Sequence, residues 1–196
     1  MDMVQQKSGR ARSGKSSDAG PPTDLDFEKA LMFFHAYMYG PLQGKLRLYR
    51  ARDVHSVGKA LPSDWEVFAS ILVKDVGTKL TKGVDLSKYE VKSAEKGGSY
   101  EYQYHKNTGK QKLREDTRVG HLFFDHRDNL RSVDLRYISG TDLSVFFTEW
   151  LEEYPDPYPQ RYRKNVPLWL RGKEHTVSDP ARWHLPAPTN EQRRIF

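Results

Sequence analysis

Gly83-Val84-Asp85-Leu86-Ser87-Lys88-Tyr89-Glu90-Val91-Lys92-Ser93 is the stretch from which both the fold and the chemistry are read. Its second half alternates apolar and charged residues, which predicts a strand. Successive side chains on a strand point to opposite faces, so Glu90 and Lys92 share one face and Val91 turns to the core. Asp85 comes just before the strand, where Gly83 permits a tight approach that brings its carboxylate beside the pair. Two carboxylates at one site repel each other unless a cation lies between them. Magnesium takes oxygen ligands of this kind and keeps several waters. A lysine beside such an ion can orient water or meet charge on a phosphate. The three groups together suit phosphodiester hydrolysis. The same letters also spell a solvated Glu–Lys pair on an exposed strand, which contributes little. Asp75 is a rival to Asp85 as first carboxylate. Glu66 is a further candidate, with helix capping as its simpler role.

On the N-terminal side, Ser63-Asp64-Trp65-Glu66 reads as a capping box opening a helix with Trp65, Phe68, Ala69, Leu72 and Val73 inward. Earlier, Thr23 or Asp24 caps an expected helix over residues 25–39, with Gly40-Pro41 as its stop. That helix is apolar on most sides, so it is expected to be deeply buried or shared with a second subunit. It is the candidate homodimer interface. His35 within it reads as a packed or surface histidine. Residues 44–50 alternate Lys45 and Arg47 with Leu46 and Leu48, which suggests a strand or extended arm; Arg47, Arg50, Arg52 and Lys59 make this region basic. Residues 1–22 are rich in Gly, Ser, Lys and Arg and are expected to form a disordered basic tail. Gly9-Arg10-Ala11-Arg12-Ser13-Gly14-Lys15-Ser16 matches the phosphate-loop pattern. That loop works only between a buried strand and a helix, and neither is expected here, so the match is read as chance.

On the C-terminal side, Tyr100, Tyr102 and Tyr104 alternate with polar residues as in a strand, and residues 108–115 read as a short basic helix. Residues 119–124 form an expected core strand, residues 125–129 a turn, and residues 131–138 a returning strand. Ser139-Gly140-Thr141-Asp142 caps a helix through Tyr154, which Pro155, Pro157 and Pro159 stop. Arg161, Arg163, Lys164 and Arg171 flank Val166-Pro167-Leu168-Trp169-Leu170. The elements assemble into one mixed α/β (α+β) domain over residues 23–171, followed by an irregular Pro-rich extension, 172–196.

The 196 residues carry a formal net charge of +6, which favours a polyanionic partner such as nucleic acid. Cysteine is absent, so disulfides and thiolate metal sites are excluded and a cytoplasmic location is expected. No apolar run is long enough to span a membrane. His121 and His126 lie five apart and form no zinc pattern; His121 reads as a core-edge residue.

The Asp85…Glu90-Val91-Lys92 motif, after the helix opened by Ser63 and before a mixed sheet, resembles the PD-(D/E)XK nuclease superfamily. Within it the chain is similar to the small homodimeric type II restriction endonucleases, over roughly residues 63–170. The resemblance implies a central mixed sheet flanked by helices, and magnesium-dependent cleavage of double-stranded DNA at a short palindrome. It implies Asp85 and Glu90 as metal ligands, Lys92 as the catalytic lysine, and His105 where such enzymes place base-contacting histidines. The Asp85-to-Glu90 interval is shorter than usual in the family. Arg163 falls where a late base-reading asparagine is expected, with Asn165 two residues on, so the recognition sequence is not carried over. Lys79, Lys82, Lys110, Lys112 and Arg114 are the candidate phosphate contacts, and His105, Arg161, Arg163 and Asn165 the candidate base readers. Two other functions fit the same letters. One is a structure-specific nuclease, such as a junction resolvase or repair nicking enzyme, with no base readout; the other is a non-catalytic DNA-binding module.

Overall fold

The computed structural model describes residues 20–55, 59–78, 84–95, 98–105, 107–155, 161–167 and 182–184. Residues 1–19 of the tail, most of the C-terminal extension, Gly83, and the phosphate-contact candidates Lys79 and Lys82 lie outside the described residues. Helix α1 (Phe27–Phe33) is capped by Asp26, whose carboxylate accepts the Lys29 N–H at 3.1 Å, in place of Thr23 or Asp24. It runs without a break through a π-helical stretch, Phe34–Tyr39, into α2 (Gly40–Arg50).

Gly40-Pro41 therefore does not stop the helix, and residues 44–50 are helical where a strand or arm was expected. The reason lies in the hydrogen-bond ladder. The Gly40 N–H reaches back five residues to the His35 carbonyl, so Pro41, which has no N–H, falls where the ladder changes register. Leu42 and Leu46, four apart, are then buried on one side while Lys45, Arg47 and Leu48 face out. The apparent alternation of residues 45–48 was fortuitous. Helix α3 (Pro62–Leu72) starts before the expected capping box: the Leu61 N–H donates to the Asp64 carboxylate at 2.9 Å, and proline takes the first turn. Trp65, Phe68, Ala69 and Leu72 are buried as expected.

Strands β1 (Tyr89–Glu95), β3 (Gly120–Arg127), β4 (Ser132–Ser139) and β6 (Arg182–His184) form one mixed sheet in the order β1-β3-β4-β6. The β1–β3 pairing is parallel and the others are antiparallel. Because β1 and β3 run parallel, the chain must cross over between them. It does so through β2 (Ser99–His105) and α4 (Gly109–Asp116). Strand β2 pairs with β5 (Arg161–Pro167) as a separate antiparallel ribbon. Helix α5 (Ser144–Glu152) begins one residue later than a cap at Asp142 would place it, with Leu143 at the cap position. Strand β3 continues through the expected turn at 125–127, and the reversal falls at Asp128, Asn129 and Leu130, all with positive φ. Strand β6 lies within the extension that was read as irregular; three residues are too few for a periodic signal.

Two apolar clusters sandwich the sheet. Val91, Leu122, Phe124 and Leu135 pack against α1, α2 and α3, with Trp65 stacked on Phe124. Ala94, Phe123 and Ile138, on the other face, pack against the ribbon tyrosines Tyr100, Tyr102 and Tyr104 and against Phe147 and Trp150 of α5. The molecule is thus a mixed α/β structure with helices on one side of the sheet and the ribbon, α4 and α5 on the other. Among the described residues no helix is long and apolar enough to cross a membrane.

Candidate active site

Strand alternation places Glu90 and Lys92 together, as the sequence indicated, but the face they share is covered rather than exposed. The β2–β5 ribbon and α4 lie over it, and only 1% of the Glu90 side chain is exposed, against 17% of Lys92. The Lys92 ammonium donates to Glu90 Oε1 at 2.6 Å. The Lys112 ammonium, arriving from α4, bridges Glu90 Oε1 and Oε2, each at 2.9 Å. A solvated ion pair, the alternative reading of these letters, is not what the fold builds.

Asp85 folds back onto the same strand. Its carboxylate accepts the Val91 N–H at 2.9 Å, and its own N–H donates to Glu90 Oε2 at 3.3 Å. The preceding segment fixes it there: Gly77 and Leu86 form a β-bridge, and the Thr78 N–H donates to the Asp85 carbonyl at 3.2 Å. Asp75 has a different task. It accepts the Ser87 hydroxyl and the Lys88 N–H, so it fastens the loop that carries Asp85 and does not join Glu90. Glu66 sits on α3, the helix layer on the opposite face of the sheet.

Behind Glu90 lies a second polar layer that the sequence did not disclose. Lys112 and Asp116 are one turn apart on α4, and the Lys112 Nζ lies 3.7 Å from Asp116 Oδ1. Oδ1 has no hydrogen-bond donor, whereas Oδ2 accepts from the Tyr104 hydroxyl at 2.9 Å. His121, opposite Glu90 in the β1–β3 register, is fully buried rather than at the core edge. Its Nε2 lies 2.8 Å from the Asp116 carbonyl, which can only accept, so Nε2 carries the hydrogen. Nδ1 is then the acceptor, and the Tyr102 hydroxyl donates to it at 2.8 Å. The Lys92 ammonium lies 4.8 Å from the centre of the Tyr102 ring, a cation–π contact. Gly140 locks the end of α4 in place: a side chain there would meet the Asp116 and Val119 carbonyls at 2.5 Å.

The charges in this cluster push one another apart. Burial, reinforced by the Glu90 charge, raises the Asp85 carboxyl to about 6, with Lys92 and the Val91 N–H opposing. Burial also acts against Glu90, but Lys92 and Lys112 outweigh it and hold that carboxyl below its ordinary value. Asp116 is raised by burial and by Glu90. Burial lowers His121 to about 4, so it stays neutral. A carboxylate pair with separated values is a common mark of a functional site. The donor chemistry of Asp85 and Glu90 fits a hard divalent cation: two oxygen-bearing groups adjoin, and the Glu90 charge raises the cost of ionising Asp85 when no cation is present. Among the described residues no cluster of three or more His, Cys, Asp or Glu suits a metal, so an ion held here relies on water and substrate oxygens for its remaining ligands.

The base-reader candidates come together although some 60 residues separate them in sequence. The β2–β5 register sets His105 opposite Arg161, Gln103 opposite Arg163 and Glu101 opposite Asn165. Alternation turns the tyrosines inward and these six residues to the other face. Arg163 donates to Glu101 at 3.4 Å, and to the Gln103 amide oxygen at 3.0 and 3.2 Å when that amide is turned towards it. Glu101 and Gln103 were not singled out from sequence; their period-two spacing with His105 was the available signal. Lys110 and Arg114 are exposed on α4, with the Lys110 ammonium 5.5 Å from the centre of the Tyr154 ring. Lys112, expected at a phosphate, instead faces Glu90 with 13% of its side chain exposed.

In comparison with known proteins, the chain matches no family model and no curated protein.

Proposed function

We propose that the protein is a magnesium-dependent endonuclease of the PD-(D/E)XK type that cleaves double-stranded DNA at a short palindromic site. The observation that carries this reading is the buried Glu90–Lys92 pair with Asp85 folded against it, directly beside a solvent-facing polar ribbon. Asp85 and Glu90 would hold the ion, and the chemistry it would supply there is activation of water and screening of charge on the scissile phosphate. Lys92 faces the same reacting region, its ammonium steadied by the Tyr102 ring and kept charged by Glu90 and Asp85 against the pull of burial. The neutral His121 fixes Tyr102 without adding a charge.

A two-stranded ribbon fits the major groove. The exposed face that carries His105, Arg161, Arg163 and Asn165 is therefore assigned to base reading, and Lys110 and Arg114 to phosphates. Strand β2 begins only four residues after β1 ends, so the reading face and the cutting strand are close along the chain. Cutting both strands of a palindrome requires two sites related by a two-fold axis. Exposed Met32 and Tyr37 on the N-terminal helix make it the candidate homodimer surface.

The test is incubation of unmethylated plasmid and phage DNA with the protein, with and without magnesium, beside Glu90→Ala and Lys92→Ala. Discrete fragments from wild type with magnesium alone are the expected result. No cleavage by a folded wild-type protein contradicts the proposal. Cleavage confined to branched or mismatched DNA would instead identify a structure-specific nuclease.

A further inference from the structure

Lys112 is the group in the site that the proposed chemistry leaves without a task. Lys92 comes from the same strand as Glu90, two residues on, and a simple ion pair would end there. The fold instead brings a second ammonium from a separate element to both oxygens of the same carboxylate, each at 2.9 Å. Those oxygens are the ones a cation shared with Asp85 must use. The Lys112 ammonium also has a second seat within reach. Asp116 Oδ1 is one helical turn away on the same face of α4, 3.7 Å from Nζ, buried and without a hydrogen-bond donor. A small change in the lysine torsions closes that distance, and the backbone need not move.

We infer that Lys112 is a positioning residue that serves, beside Lys92, as a resident counter-ion of Glu90: in the metal-free protein it holds both carboxylate oxygens, and it withdraws to Asp116 when a divalent cation binds. This rests on the proposed metal site. The physical argument is competition. A monovalent ammonium at 2.9 Å from both Glu90 oxygens holds the ground that an incoming ion must take, so metal affinity is set partly by how readily Lys112 leaves. Its withdrawal leaves no buried orphan, because the same movement supplies Asp116 Oδ1 with the donor it lacks.

Calorimetric titration of magnesium and of calcium into the DNA-free protein at pH 8 and fixed ionic strength tests this without any turnover. Lys112→Met removes the competing charge from the helix, and Lys112→Gln removes the charge while keeping a donor. Both should bind the ions about tenfold more tightly than wild type. Lys110→Met, two residues away on the outer side of α4, loses the same net charge and should bind as wild type does. Asp116→Asn weakens the second seat and should bind several-fold more weakly, with no further effect when combined with Lys112→Met. The magnesium-induced rise in melting temperature should follow the same order, which shows that each variant is folded. Unchanged or weaker binding by both Lys112 variants, with wild type binding normally, overturns the inference and leaves the metal site intact. Failure of wild type and every variant to bind either ion overturns the metal-site reading and the inference with it.

Discussion

Strand β1 has two faces, and both are buried. On one, Tyr89 and Val91 face the apolar layer of α1, α2 and α3; on the other, Glu90 and Lys92 face Tyr102, Lys112 and His121. The first face is what a folding chain seeks, because apolar surface leaves water. The second runs against that tendency. Charged groups there must be matched one by one, and a well-packed apolar substitute for a buried ion pair is often as stable or more so. Two lysines, one from β1 and one from α4, meet on one buried carboxylate, an arrangement that packing for stability alone does not call for. The contrast separates residues that hold the fold from residues that are held by it.

Substitutions on the two faces should fail in opposite ways. Glu90→Ala and Lys92→Ala should lower single-turnover DNA cleavage by about 10³-fold and 10²-fold or more respectively, with circular dichroism and the unfolding transition still cooperative. Leu122→Ala, on the apolar face and opposite Val91 in the β1–β3 register, should cost about 2–5 kcal/mol in denaturant unfolding. Its cleavage rate per folded molecule should match wild type. Loss of activity per folded molecule in Leu122→Ala, or unfolding of Lys92→Ala, would erase the distinction.

The distinction sharpens with pH, because the two carboxylates respond with opposite sign. Asp85 is raised from about 3.8 to about 6, so between those values the folded state holds a proton that the unfolded chain has released. Stability of the metal-free protein should thus fall as pH rises through that window. Asp85→Asn should remove the fall and gain about 1–3 kcal/mol at neutral pH while cleavage is lost. Glu90 is lowered, so its ionised form supports the fold above the ordinary carboxylate range, and that support disappears only in strong acid. Equal unfolding free energies for wild type and Asp85→Asn at pH 4.5 and 7.5 (sampling either side of about 6) would contradict the assignment.

The smallest effects belong to the exposed ribbon. Arg163→Ala should weaken binding to the preferred sequence about tenfold or more, leave non-specific binding near wild type, and change stability by less than about 0.5 kcal/mol. Arg114→Ala on α4 should instead weaken all sequences alike and lower the salt slope of binding by about one.

Much of this contrast was legible in the sequence, for reasons that can be named. Period-two alternation put Glu90 and Lys92 on one face and the three tyrosines of β2 on another, and the structure keeps both assignments. What alternation does not report is what covers a face. The burial of Glu90 depends on β5 and α4 arriving from elsewhere in the chain, and Lys112 was assigned to phosphate because a basic helix read alone looks solvated. Its spacing of four from Asp116 was visible, but only the 2.9 Å contacts to Glu90 give it meaning. The helix running through Gly40-Pro41 was missed because the π-helical register, which excuses the proline, leaves no local signature. His121 looked like an edge residue because its partners, Tyr102 and the Asp116 carbonyl, are tertiary ones.

The central claim, that the polar face of β1 is a divalent-cation site, is tested most directly by anomalous diffraction from crystals of the protein soaked in manganese. The account requires a peak within coordination distance of both the Asp85 and Glu90 carboxylates, absent in Glu90→Ala crystals. Saturating manganese with no density between those two side chains would contradict it.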